Sequence, residues 1–136
     1  MSVAVLDEIG YAELDTKRAG RLFAAALSTL GLDLERIGEV SVVLVDPETI
    51  SNLNLEFRDR DEPTDVLSFE VDGPYGEMVG EVVICPECAD RGMGVNELVV
   101  HGALHLGGMD HGEAFGASEM ARVQRAVMEE SRGQEG

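Results

Sequence analysis

Between Asn96 and Gly107 the chain reads NELVVHGALHLG, apolar on nearly every side of a helical wheel and yet carrying two histidines. A helix without a polar stripe must be covered all round, so this stretch requires a core built around it. The chain has the means. Its 136 residues are 44% apolar and 27% charged, which is about one ordinary domain. A chain of that length hides roughly two thirds of the surface it exposes when unfolded. Wholly disordered and collagen-like chains are excluded. No apolar run approaches the roughly 20 residues of a membrane helix.

The other elements follow from periodicity and punctuation. From Thr16 to Leu30, apolar residues at Ala19, Leu22, Phe23, Ala26, Leu27 and Leu30 form one helical stripe, with Asp15 as N-cap and Gly31 closing the C-terminus. Glu39–Val45 is β-branched and reads as a buried strand. Asp46-Pro47 opens a second helix to Phe57. Val66–Val71 alternates as a strand, residues 72–76 turn, and Glu81–Ile84 is another strand. Ala117–Glu130 is a last helix with Met120, Val123 and Val127 inward, and the N-terminal VAVLD adds a short strand. The expected fold is α+β, a small mixed sheet with helices packed on it. No repeat or linker divides the chain, so one domain is expected over residues 1–132, with 133–136 (GQEG) as a disordered tail.

All three histidines fall between His101 and His111. His101 and His105 are spaced i, i+4, so both rings share one helix face. Gly107-Gly108 stops the helix and turns the chain back, which brings His111 toward the same point. Three neutral imidazoles with an open fourth position are the layout of a catalytic zinc site, one Zn2+ per chain. Asp110 can orient a ligand from behind. Burying three imidazoles without partners would be costly, which weighs against a purely structural role.

The spacing H-x-x-x-H-x-x-G-x-x-H is that of the metzincin proteases, with Gly108 at the glycine position, so the element is a zincin-like histidine-bearing helix. Those enzymes place a glutamate directly after the first histidine as general base; here that position is Gly102. The scaffold is present and the proteolytic base is absent, which points to a different hydrolysis.

Arg58 stands between the second helix and the strand beginning at Val66, in NLEFRDRDEPTDVLSF. A loop arginine can pair two phosphate oxygens at once. It can equally pair, with Arg60, to Asp59, Asp61 and Glu62 on the surface. Asp65 is a weak candidate for a base or for a residue supporting a ligand.

HGALHLGGMDH preceded by ELVV, together with FRDRDEPTDVLSF, GEVVICPE and LDLERIGEVSVVLVDPETISNLN, resembles the YbeY family of bacterial metal-dependent endoribonucleases. The similarity runs over roughly residues 15 to 130. It implies a small mixed sheet with helices, and single-strand-specific RNA cleavage in maturing the 3′ end of 16S ribosomal RNA and in ribosome quality control. It implies His101, His105 and His111 as zinc ligands and Arg58 as the catalytic or phosphate-binding arginine. Single-stranded rRNA and the small ribosomal subunit are the implied partners. The competing readings are a metallopeptidase drawing its base from elsewhere, such as Glu113, and a non-enzymatic ribosome-assembly factor with a structural metal.

Two features depart from that pattern. The stretch CPECADRGMGVN before the histidine helix is short for the family. The net charge, with ten Lys+Arg against 27 Asp+Glu, is −17, which repels nucleic acid and anionic membranes at long range. A positive groove would have to come from Arg58, Arg60 and Arg91, or cations from a partner. The acidity fits either a solubilising surface or a high-salt habitat. The acidic N-terminus is not a signal peptide, and Cys85 and Cys88 are too few for a disulfide scaffold, so a cytoplasmic, non-membrane protein is expected. Cys85-Pro86-Glu87-Cys88 has no second pair to complete a four-cysteine zinc site; Cys85 reads as a strand-end core residue.

Overall fold

The runs read as strands pair into one sheet. β1 (Ser2–Asp7), β2 (Ile37–Leu44), β3 (Val66–Asp72) and β4 (Met78–Ile84) lie in the order β1-β2-β4-β3. β1 and β4 run parallel to β2, and β3 lies antiparallel to β4 at the sheet edge. The computed structural model describes residues 1–89, 94–109 and 119–135, the last four of these by backbone alone. The helices are α1 (Thr16–Thr29), α2 (Pro47–Arg58), α3 (Val95–Leu106) and α4 (Glu119–Glu135). The fold is α+β, as the sequence leads one to expect.

Local chemistry explains the element ends. Asp15 accepts from the Arg18 N–H at 2.7 Å and starts α1. Gly31, at φ +79°, ends it: Leu32 N–H reaches Leu27 O at 3.1 Å and Gly31 N–H reaches Ser28 O at 2.9 Å, a Schellman closure. Asp46 accepts from Thr49 N–H at 2.8 Å and Pro47 takes the first turn of α2. β4 begins at Met78, three residues before the expected Glu81, because the antiparallel ladder from β3 carries pairing back to Asp72 opposite Met78. α4 starts at Glu119; residues 117–118 of the expected helix lie outside the described residues. At its other end α4 continues to Glu135, through residues 133–135 where a tail is expected.

Alternation along the strands divides the core in two. Val40, Val42, Leu44, Val82 and Ile84 face α1, α3 and α4 and pack with Phe23, Leu27, Leu98, Leu104 and Met120. Val43, Val45, Leu67, Val83 and Cys85 face the other way and pack with Ile50 of α2. α3 is therefore sandwiched between the sheet, α1 and α4, with nine of its residues buried. Its all-round apolarity is satisfied by this position. Among the described residues, no helix is long and apolar enough to cross a membrane.

Candidate metal centre on the buried helix

The i, i+4 pair does converge. Nε2 of His101 and Nε2 of His105 are 3.1 Å apart, with ring centroids separated by 4.7 Å and planes at 69°. His101 is buried and His105 half-buried, so the pair sits where the covered helix meets the surface.

The protonation of His101 follows from its other nitrogen. Nδ1 lies 3.0 Å from Oε1 of Gln124 on α4, and an amide oxygen can only accept. Nδ1 therefore carries the proton, and Nε2 presents its lone pair toward His105. Two imidazole nitrogens at this distance need a proton or a cation between them. Two zinc–nitrogen bonds of about 2.0–2.1 Å at a tetrahedral angle place their nitrogens about 3.3–3.4 Å apart. The 3.1 Å separation is shorter than this and is itself a hydrogen-bonding distance, while the proton on Nδ1 leaves Nε2 of His101 in the form a zinc ligand needs.

His111, the third expected ligand, lies outside the described residues, as do Asp110, Glu113 and Arg91. Among the described residues, no group of three His, Cys, Asp or Glu side chains converges.

Gly102 explains itself structurally. A Cβ built there would run into Cγ1 of Val82 on β4, well inside van der Waals contact. Glycine lets α3 lie close against the sheet, and the Ser68 hydroxyl donates to the Gly102 carbonyl at 3.1 Å across that contact. A glutamate at 102 has no room, so the missing proteolytic base is excluded by packing as well as by sequence.

Arg58 is the final residue of α2 rather than a residue beyond it. The helix gains that residue because Asp59 terminates it in the left-handed region at φ 56°. Arg58 is exposed, and its side chain has no ion pair among the described residues. Arg60 is the one that meets Glu62, at 3.9 Å in the open. Buried Asn54 donates from Nδ2 to the Glu62 carbonyl at 2.9 Å and ties down the loop that follows Arg58. Asp65 is held by its backbone, its carbonyl accepting from Cys85 N–H at 2.9 Å.

Cys85 is fully buried at the end of β4, and its Sγ lies 3.0 Å from that of Cys88. Burial first, then the contact with Cys85, pushes the Cys88 thiol up to about 12, so it stays protonated at neutral pH and is a poor nucleophile.

Sequence reasoning missed Gln124. The available signal was a polar residue four places after Met120 on the buried stripe of α4, at a position that is itself buried.

Fold and site together define an α+β domain with an imidazole pair built into a buried helix. The model of the family described as Endoribonuclease YbeY matches residues 6–132. An endoribonuclease YbeY of Rubrobacter xylanophilus is 66% identical over 132 residues, covering 96% of each chain. One from Mycolicibacterium smegmatis is 33% identical over 150 residues, covering 96% of this chain and 83% of that protein. A solution structure from Thermotoga maritima superposes with a TM-score of 0.53 at 28% identity, over 97% of this chain and 90% of that one. The chain belongs to the endoribonuclease YbeY family.

Proposed function

We propose that this chain is a zinc-dependent endoribonuclease of the cytoplasm that cuts single-stranded RNA. Its place is in maturing the 3′ end of 16S ribosomal RNA on the small subunit and in ribosome quality control. Residues 1–132 act as one catalytic domain, with His101, His105 and His111 holding one zinc ion. The observation that carries the reading is the converging Nε2 pair with its tautomer set by Gln124, in a chain of this family. Zinc bound there supplies Lewis acidity toward a phosphoryl oxygen.

The chain's own residues do the rest. Gln124 keeps the proton of His101 on Nδ1, so Nε2 stays a ligand. The α3 backbone is pinned to β3 through the Ser68 hydroxyl, which donates to the carbonyl of Gly102, between His101 and His105 in sequence. Arg58 offers a planar fork to the phosphate and stabilises charge that builds on it. Its exposed position, with no ion pair to break among the described residues, supports that role over a surface ion pair. The tight seat of Gly102 argues against a peptidase.

Two variants test the reading. His105→Ala should lose stoichiometric zinc against a chelator while keeping its thermal transition. Arg58→Ala should keep zinc and fold, and cut single-stranded RNA about 10²-fold more slowly, the loss typical of removing one transition-state donor. Full zinc content in the first, or parental cleavage in the second, removes that residue from the site. Unfolding on metal removal would favour a structural metal instead.

A further inference from the structure

Core packing accounts for Cys85, which is fully buried with Val43, Val45, Ile50, Leu67 and Val83. It does not account for Cys88. That residue is half-buried, and its Sγ lies 3.0 Å from the Cys85 Sγ, about 1 Å beyond an S–S bond of about 2.05 Å. The backbone holds the two residues together. Cys88 N–H reaches the Cys85 carbonyl at 3.1 Å, closing a single turn over Pro86 and Glu87. Such a turn keeps the Cα atoms within about 7 Å, inside the reach of a disulfide. These are the chain's two cysteines, so neither has a competing partner within it.

The surroundings favour the crosslink over the ionised thiols. Burial and the nearby Glu87 and Asp65 carboxylates all disfavour a thiolate at Cys88. A dithiol whose thiolates are unstabilised lies toward the disulfide at equilibrium, although exchange is slow because little thiolate is present. We infer that Cys85 and Cys88 form a reversible intramolecular disulfide, made by exchange with low-molecular-weight disulfides. Cys88, the accessible thiol, loses its proton to solvent and attacks one sulfur of the small disulfide. One small thiolate leaves and is protonated. The Cys85 sulfur then bonds to that of Cys88, the mixed disulfide breaks, and the second small thiolate leaves with the Cys85 proton. Two electrons thus pass from the protein thiols to the small disulfide. The crosslink staples the end of β4 to the turn that follows it. The pair lies on the α2 side of the sheet, away from the imidazoles, and does not depend on the catalytic reading.

The test equilibrates the whole chain with mixtures of reduced and oxidised glutathione at about pH 9, where exchange is faster. Free thiols are then trapped by alkylation and each product is weighed. The parent should become lighter by two hydrogen atoms, take up no alkylating agent and stay monomeric. Dithiothreitol should restore both thiols. Cys85→Ala should instead accumulate one glutathione per chain, because no second thiol displaces it. Cys88→Ala should react at least about tenfold more slowly than the parent, since its remaining thiol is fully buried. Thermal transitions check the fold of each variant, and Cys88→Ala changes only the half-buried position. Two alkylatable thiols surviving in excess oxidised glutathione, two glutathiones on the parent chain, or crosslinking to a second copy would overturn the proposal. So would Cys88→Ala reacting as fast as the parent.

Discussion

The two faces of the sheet share the same four strands and differ in what covers them. On one side α1, α3 and α4 close completely over Val40, Val42 and Val82, and the imidazole pair is set into that packing. On the other, α2 alone covers Val43 and Val83 and leaves Phe69, Val71 and Val79 partly or largely open. Neighbouring residues of one strand thus end in opposite surroundings. A site that needs two nitrogens held to within tenths of an ångström belongs where side chains are locked by packing.

The contrast can be broken by mutation. The largest effect is expected for Leu104→Ala on the sealed face, about 2–5 kcal/mol in urea unfolding, because a fully buried leucine leaves a cavity. Gly102→Ala should lose about 1–3 kcal/mol through its collision with Val82. Gly102→Glu should be worse and should gain no peptide hydrolysis; efficient turnover of peptides by that variant would show that a base alone separates the two chemistries. Gln124→Leu should lower zinc affinity about 10–100-fold in chelator competition, with the fold retained, since it frees the His101 tautomer. Unchanged affinity would make Gln124 a packing residue only. Val71→Ser on the open face should move stability by less than about 0.5 kcal/mol. A loss like that of Leu104→Ala would mean the two faces are not different in the way described.

The smallest effect concerns acid. Hydrogen bonds from the Thr49 hydroxyl and then the Thr49 N–H hold the Asp46 carboxyl below its ordinary range. A carboxyl lowered in the folded state stabilises above its unfolded value of about 3.9 and loses that contribution as pH falls through the folded value. Asp46→Asn should therefore flatten slightly the fall of the melting temperature below about pH 4. An unchanged slope would show that the cap carries no measurable linkage.

Much of this was legible in the chain itself. The stripe from Ala19 to Leu27 repeats every three or four residues, and all of these face the core. Asp15, Gly31, Asp46 and Pro47 mark helix ends because capping is decided within a few residues. The i, i+4 spacing of His101 and His105 could produce only neighbouring rings once α3 formed.

Other features depend on residues far apart in sequence. Gln124 meets His101 from 23 residues away, and no spacing rule links an amide on one helix to an imidazole on another. Gly102 reads in sequence as an absent glutamate, and only the approach of β4 turns it into a required close contact. The early start of β4 comes from its ladder with β3, not from its own pattern. Phe57 and Val71 look like ordinary core residues by type, and the position of α2 leaves them in water. Local periodicity and capping are encoded over one or two helical turns, so the sequence alone determined the elements and the imidazole pair. Which side chains meet across elements, and which faces stay uncovered, depends on how those elements stack, and that is settled only when the whole core closes.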